Sequence, residues 1–256
     1  MLQNAPQYQV SLAQSEQDRR AAQRLRYEVF VDELGGDGAG VDHANRLESD
    51  AFDSHADHLL LRDLRHSDGD TDGVVGVYRL MTAHHAASAG GFYSASEFDL
   101  TLLLNSGLAL LELGRSCLHP SHRGGPALMA LWQGLADYVA ENEIDILFGT
   151  ASFHGTDLVA LQHPISNLHA TYLAPETLRV TSHMPLKAPL LRSDQIDRKA
   201  AMRDTPALIK SYLKLGGKIG QGVFVDHAFN TTDVCLILDT DNMTPSTLNR
   251  AQRRMS

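Results

Sequence analysis

Apolar positions recur along the chain with two different periods, and each change of period marks an element. Over residues 15–34, SEQDRRAAQRLRYEVFVDEL, the residues Ala21, Leu25, Val29 and Leu34 return about every fourth position, which predicts an amphipathic helix. Ser15 supplies an N-cap hydroxyl and Asp18 a carboxylate for the first turn. The stretch GGDGAGVDHANRLESDAFDSHAD then breaks the period, and so long a Gly- and Asp-rich connection reads as a functional or mobile loop. HLLLRDL and VVGVYRLMT, joined through the turn HSDGDTDG, predict a hairpin. LALLELGRSCLHP predicts a central strand that stops at Pro120, which has no N–H to give a ladder. In HRGGPALMALWQGLADYVAENE, helical spacing of Leu128, Leu131, Leu135 and Val139 follows two glycines, with Pro126 near the first turn. IDILFGTASF reads as a strand, TPALIKSYLKLGG as a helix closed by Gly216 and Gly217, and IGQGVFVD and TDVCLILD as strands.

Composition narrows the class. With 256 residues, 43% of them apolar and 21% charged, the chain can bury a core and is neither a disordered tail nor a disulfide-stapled miniprotein. Cys117 and Cys235 stand alone, without CxxC or Cys/His spacing, so no disulfide framework or structural zinc site is expected, and a reducing compartment is. No secretory-type leader and no window of about 18 apolar residues is present, which makes a cytoplasmic location the expectation and leaves peripheral contact with the inner membrane open. The net charge of −9 argues against a nucleic-acid partner. It is unevenly placed: Arg179 to Lys218 holds nine Lys/Arg against three Asp, a local +6, and leaves −15 for the rest. A basic insertion at about 165–205 in a single domain over 1–256 carries most of this charge. It reads as a solvated, weakly folded segment, a dock for an acidic protein, or a contact for anionic lipid.

The junction HRGGPA, His122 to Ala127, places glycines between a buried strand and a helix N-terminus. Unpaired N–H groups and the positive end of the helix dipole make such a junction an anion site, and glycines let a phosphate approach the backbone. It is neither a P-loop nor GxGxxG. Strand, His-Pro, glycine turn and helix together resemble the acyl-CoA binding motif of the GNAT N-acyltransferase superfamily. His122 takes the Gln/Arg position, with Arg123 beside it, and Gly125 and Ala127 are the small residues. SYLKLGG resembles the superfamily's Tyr-x-x-Leu-Gly helix ending. The resemblance implies an α/β GNAT-like fold, a mixed twisted central sheet splayed near Glu112 to Pro120 with helices on both faces. It implies a phosphopantetheine arm held by Leu118, His122, Arg123, Gly124, Gly125, Pro126 and Ala127, with a Leu118 amide for the oxyanion. Tyr212 would give a proton to the leaving thiolate.

Four pairs, Arg26 with Phe30, Asp50 with Asp53, Arg79 with Leu80 and Glu112 with Arg115, resemble the pattern of acyl-homoserine-lactone synthases. Leu34, Gly35 and Gly36 stand where that pattern has an aromatic residue. RYEVFVDELG, ELGRSCLHPSHRGG, ALWQGLADYV, FGTASFHGTD and YLKLGGKIGQGVFVDHAFNTTDV resemble blocks of the ornithine N-acyltransferases that make lyso-ornithine lipid, over nearly the whole chain. That resemblance implies transfer of a 3-hydroxyacyl group from acyl carrier protein to the α-amine of L-ornithine, with no cofactor beyond the carrier's phosphopantetheine thioester. Autoinducer synthesis and a non-catalytic carrier or membrane adaptor are the alternatives.

Glu112 lies on an apolar strand, where a carboxylate needs a partner or a task. It is the candidate general base, or half of a buried ion pair with Arg115; strict alternation would put the two on opposite faces, so facing each other requires a bulge. Arg26, Asp50, Asp53 and Arg79 are candidates for holding ornithine, whose carboxylate suits a guanidinium and whose ammonium suits a carboxylate, or are ordinary loop-ordering charges. Ser152 and His154 are candidates for lining the amine or acyl channel. Asp42, His43, Asp53, His55 and His58 supply ligand atoms but no fixed spacing, so no metal is expected.

Overall fold

In the computed structural model, residues 6–65, 71–186 and 189–242 are described, and Lys187 of the basic segment lies outside them. The chain forms two compact units that interleave in sequence: one from the residues up to Gly90 and Leu113–Glu143, the other from Gly91–Glu112 and the chain from Ile144 onward.

The first unit begins with β1 (Tyr8–Leu12) and α1 (Glu16–Arg26). Ser15 closes α1 with a capping box: its Oγ accepts the Asp18 N–H at 3.1 Å, and the Asp18 carboxylate accepts the Ser15 N–H at 3.0 Å. The helix expected through Leu34 changes form at Tyr27. Tyr27–Glu33 is a π-helix, with the Leu34 N–H bonded to the Val29 carbonyl, five residues back. The wider turn shifts the register, so the stripe projected at 3.6 residues per turn fails at its last member: Leu34 is 40% exposed. The predicted hairpin forms from β2 (Asp57–Asp63) and β3 (Val74–Thr82), antiparallel, with a bulge between Leu61 and Arg62. β1 pairs antiparallel with the other edge of β2, placing Tyr8 opposite Asp63. Every residue of β3 but Thr82 is buried, the pattern of a strand covered on both faces. The Gly- and Asp-rich stretch is not a bare loop: Val41–Asp42 and Leu47–Glu48 pair across it. Gly40 is required there, since a Cβ would sit 1.8 Å from the Ser49 carbonyl oxygen.

β4 (Leu110–Leu118) runs into this unit, and the 3-10 turn Pro120–His122 leads to α2 (Gly125–Glu141). α2 buries Ala127, Leu131, Trp132, Leu135, Tyr138 and Val139. Gly134 lets the helix close on β1, where a Cβ would come within 2.3 Å of Val10 Cγ1.

In the second unit, β4 pairs in parallel with β5 (Ile146–His154) through Leu110, Leu111 and Glu112, the last opposite Phe148. β5 then pairs antiparallel with β6 (Thr231–Asp239) over its whole length, which makes the sheet mixed. The strand expected over residues 219–226 is two short pieces, Lys218–Ile219 and Phe224–Asp226, separated at Gly222 with φ +85°. The predicted helix near Tyr212 spans Ala207–Lys214, and Gly217 packs so tightly that a Cβ would lie 2.7 Å from the Tyr212 carbonyl oxygen.

The basic segment is folded rather than loose. The helix Gln162–Tyr172 begins ahead of residue 165 and buries Ile165 and Leu168, and the helix Arg198–Asp204 buries Ala201. Arg192 pairs with Asp194 and Arg203 with Asp204, so part of the +6 is matched locally. Among the described residues, no helix is long and apolar enough to cross a membrane.

Candidate active site

The glycine turn lies between the end of β4 and the start of α2 in the first unit. The N–H groups of the first turn of α2 have no partner within the helix, and Pro126 carries none. At Gly124 and Gly125 an added Cβ would meet nothing within 4 Å, and neither residue has a left-handed backbone. Packing within the chain does not demand glycine there, and the bare backbone is open to the outside. Arg123 forms two hydrogen bonds of 2.5 Å to the Glu33 carboxylate at the end of the π-helix and a third, 3.2 Å, to the Leu118 carbonyl. The hydrogen bond to Arg123 holds the Glu33 carboxyl below its ordinary range. His122 does not point outward as the Gln/Arg position suggests. It is 8% exposed, and its ring nitrogens contact Ser121 Oγ at 2.9 Å and Asp63 Oδ2 at 3.3 Å.

Beside this open turn lies a closed one made of charges. Arg26 Nε bonds Glu48 at 2.5 Å, Arg115 Nε bonds the other Glu48 oxygen at 3.1 Å, and Arg115 Nη2 bonds Asp50 at 2.8 Å. Arg79 Nη1 bridges Asp50 at 2.5 Å and Asp53 at 3.0 Å, and Asp53 returns to Arg26 Nη1 at 2.8 and 2.9 Å. Three guanidiniums and three carboxylates thus alternate around a ring. Arg115 has a left-handed backbone, φ +50°, which breaks the strand alternation; it forms salt bridges to Glu48 and Asp50, and Glu112 accepts the Tyr93 and Ser94 amides. Burial raises the Asp53 carboxyl, but the charges and hydrogen bonds of Arg26 and Arg79 outweigh it and leave the carboxyl far below the ordinary range. Asp50 shifts the same way through Arg79 and Arg115. His58, whose Nε2 meets the Asp53 carbonyl at 3.0 Å, is pushed down by burial first and then by the arginines.

The structure brings Arg26, Asp53 and Arg79, the candidates for holding ornithine, together in this ring. Their side chains are at most 5% exposed and are bonded within the ring, with Gln23 Nε2 adding a hydrogen bond of 3.1 Å to Asp53 and Arg26 Nη2 buried without a hydrogen-bond partner among the described residues; Asp50 and Arg115, at 18% and 14%, are the ring members that reach solvent. Glu48 was missed from sequence. The signal was charge arithmetic: with Arg115 added, three arginines face only two of the named aspartates, which calls for a third acid.

In the second unit Glu112 is 2% exposed and accepts two backbone hydrogens, from Ser94 N at 2.6 Å and Tyr93 N at 2.9 Å, at the start of the 3-10 turn Tyr93–Ser96. Tyr212 is buried on its helix. Ser152 and His154 occupy the exposed face of β5, alternating with buried Ala151 and Phe153. Burial pushes both thiols, Cys117 and Cys235, well above their ordinary range, so neither is an activated nucleophile. Of the imagined metal ligands, Asp53 belongs to the ring and His43 contacts the Tyr27 hydroxyl at 2.9 Å; no metal-holding group of three or more is found among the described residues.

Residues 25–133, which include the ring and the glycine turn, match the family model described as an acetyltransferase (GNAT) domain. An L-ornithine N(alpha)-acyltransferase of Rhodobacter capsulatus is 54% identical over 236 residues, 92% of this chain and 91% of that one. Two solved structures share the fold at low identity. The AHL synthase LasI is 14% identical, with a TM-score of 0.51 over 92% of this chain and 91% of its own. FeeM, an N-acyl amino acid synthase from uncultured soil microbes, is 12% identical, with 0.53 over 93% and 94%. The chain is an acyltransferase built on the GNAT fold and belongs to the family of L-ornithine N(alpha)-acyltransferases.

Proposed function

We propose that this acyltransferase moves a 3-hydroxyacyl group from the phosphopantetheine thioester of acyl carrier protein to the α-amine of L-ornithine, the opening step of ornithine-lipid synthesis. The observation that carries the reading is 54% identity, over nine-tenths of both chains, to a relative named for that acceptor. In this reading the donor's phosphate rests on the first-turn amides of α2, where Gly124 and Gly125 leave the backbone bare and Pro126 and Ala127 shape the turn. Glu112 takes the proton of the α-ammonium, directly or through water, because only the free amine attacks the thioester carbonyl. The new N–C bond forms, the C–S bond breaks, the thiolate takes its proton from Tyr212, and the second proton of the attacking nitrogen returns to the tyrosinate through solvent, while an amide near Leu118 faces the oxyanion. Asp50 and Arg115, the solvent-reaching members of the ring, suit the ammonium and carboxylate of an amino acid, and Ser152 and His154 suit the channel wall. The enzyme works in the cytoplasm, with peripheral contact at the inner membrane.

The test is purified protein with 3-hydroxyacyl carrier protein and a panel of amines, read by mass spectrometry of products. N-acyl-ornithine formed from the carrier-bound donor is the expected result. Turnover of acetyl-CoA with unrelated amines and none with ornithine would sink the proposal, and a lactone formed from S-adenosylmethionine would replace it with autoinducer synthesis.

A further inference from the structure

Among the described residues, the serines buried in the second unit pair their hydroxyls, with one exception. Ser166 Oγ accepts the Leu191 N–H at 2.9 Å, and Ser211 Oγ donates to the Ala207 carbonyl at 2.8 Å. Ser94 is 0% exposed, and its Oγ has no hydrogen-bond partner among the described residues. A hydroxyl sealed from water and unpaired within its own chain is costly, and such a group marks a place where a ligand pairs it.

Ser94 lies in the 3-10 turn Tyr93–Ser96, whose first two amides hold the Glu112 carboxylate, the Ser94 N–H reaching Oε1 at 2.6 Å. Ordinary bond lengths put a serine Oγ no more than about 3.7 Å from its own amide nitrogen, hence within about 6 Å of Oε1. The sheet face that carries Glu112 has two unlike ends. Register places Phe148 opposite Glu112 and Ile237 opposite Phe148; farther along the same face come Thr150 with Cys235 and Ser152 with Asp233. Ser152 and His154 are exposed, which suits the entry of a charged amino acid. Phe148 and Ile237 are buried, and Phe92, two residues before Ser94, meets Phe148 edge-on with ring centroids 5.0 Å apart. The Phe92–Ser94 segment therefore belongs to the apolar end, where an acyl chain fits better than an amino acid.

We infer that Ser94 is a specificity-determining residue for the donor, its hydroxyl pairing with the 3-hydroxyl of the acyl group. The inference rests on the proposed reaction, in which the amine gives its proton to Glu112 and attacks the thioester carbonyl. A base acts from within about 3 Å of the nitrogen it deprotonates. The 3-hydroxyl oxygen, three bonds from the carbonyl carbon, stays within about 4 Å of that carbon. Both hydroxyls thus fall in one volume beside Glu112. Each can give one hydrogen and accept another, so the pair forms in either direction. An acyl chain without the 3-hydroxyl leaves Ser94 Oγ facing methylene groups, and the site discriminates against it for that reason. Ser94 has two separate tasks: its backbone N–H anchors the base, and its side chain reads the substrate. Removing the side-chain oxygen keeps the anchor.

Initial rates with ornithine and two carrier-bound donors of equal chain length, 3-hydroxyacyl and unsubstituted acyl, test this in wild type and Ser94→Ala. In wild type, kcat/KM should favour the 3-hydroxyacyl donor by about ten- to a hundredfold, the scale of one buried polar group left unpaired. In Ser94→Ala that ratio should fall toward one, with the KM for ornithine nearly unchanged. The thermal midpoint of Ser94→Ala should equal or exceed that of wild type, because the hydroxyl has no partner within the chain among the described residues. A fall of more than about 4 °C would show that the hydroxyl is already bonded in the free protein, and overturns the inference. A donor ratio that survives the substitution overturns it too, as does a rise in the KM for ornithine with the ratio intact, which would turn Ser94 toward the acceptor. These three outcomes leave the proposed reaction standing. A wild-type enzyme that uses the two donors equally, or forms no acyl-ornithine from either, removes the 3-hydroxyacyl reading and this inference with it.

Discussion

The two features of the first unit that carry charge chemistry behave in opposite ways. The ring of Arg26, Glu48, Arg115, Asp50, Arg79 and Asp53 is neutral in sum, mostly buried, and its carboxylates each bridge two guanidiniums. The glycine turn is open, with backbone donors that the helix itself cannot pair and two glycines that packing does not need. The ring's charges are matched mainly by one another, with Arg26 Nη2 left buried without a hydrogen-bond partner among the described residues, whereas the turn borders open space. The ring holds together segments that would otherwise be loose, including the Gly- and Asp-rich stretch that brings in Glu48 and Asp50. Its own contribution to stability is set by context, since ion pairing in a low dielectric offsets the loss of hydration only where every group is paired.

The sharpest way to break the comparison is to open the ring. Arg79→Met leaves Asp50 and Asp53 short of a cation, and an uncompensated buried charge costs about 3–5 kcal/mol. Urea unfolding should show that loss, and a change below about 1 kcal/mol would mean that the ring is not a structural element. The pH dependence has a defined sign. Because the Asp50 and Asp53 carboxyls are lowered in the folded chain, the stability they confer is present above the ordinary aspartate value of about 3.9 and is lost as pH falls through the folded values. Arg79→Met should therefore have a shallower acid limb as well as a lower plateau.

Glu112 is a buried carboxylate of the other kind, fixed by amides rather than by arginines. Glu112→Gln should lower kcat by about two to four orders of magnitude, the range for loss of a general base, while the thermal unfolding midpoint stays close to wild type. Near-normal turnover across the pH profile would assign the residue to holding the Tyr93–Ser96 turn alone.

What the sequence revealed follows the same division. The hairpin of β2 and β3, the cap at Ser15 and the start of α2 at the glycine turn were legible because local period and local chemistry specify them. The π-helix was not, since a 3.6-residue period was assumed through Tyr27–Glu33, and Leu34 was placed on the wrong face as a result. Five of the ring residues were named by family resemblance as candidates for chemistry, but their pairing in one ring was not legible: Glu48 enters it from a pairing of Val41–Asp42 with Leu47–Glu48, too short to leave a periodic trace. The contact of His122 with Asp63 joins positions far apart in sequence and has no local signal. Of the readings left open for the basic segment, the weakly folded one ignored Ile165, Leu168, Ile196 and Ala201, all of which are buried.

A pair of glycines sharpens the comparison further. Gly134→Ala drives a methyl into Val10 and should destabilise the protein by about 1–3 kcal/mol, the usual cost of overpacking. Gly124→Ala meets open space, so its stability should stay within about 0.5 kcal/mol of wild type, while the KM for the donor rises. Equal stability losses at both positions would show that the turn is packed like the rest of α2.

The smallest effect is expected on the basic segment. Arg192 and Arg203 already have aspartate partners, which leaves Arg198 and Lys199, both exposed, as the charges best able to act on an acidic carrier protein at long range. Rim charges act mainly on association rate and are screened over about 8 Å at physiological salt. The double substitution Arg198→Glu and Lys199→Glu should raise the donor KM by a few fold at low ionic strength and flatten its salt dependence, with the KM for ornithine unchanged. Reversing Arg192 or Arg203 alone should do less, because a single reversal changes the charge of the patch by about two where the double substitution changes it by about four. If the carrier KM is unmoved while binding to anionic liposomes is lost, the segment is a membrane contact. The carrier must then be recognised from the open turn itself, by the phosphate of its arm rather than by the charge of its body.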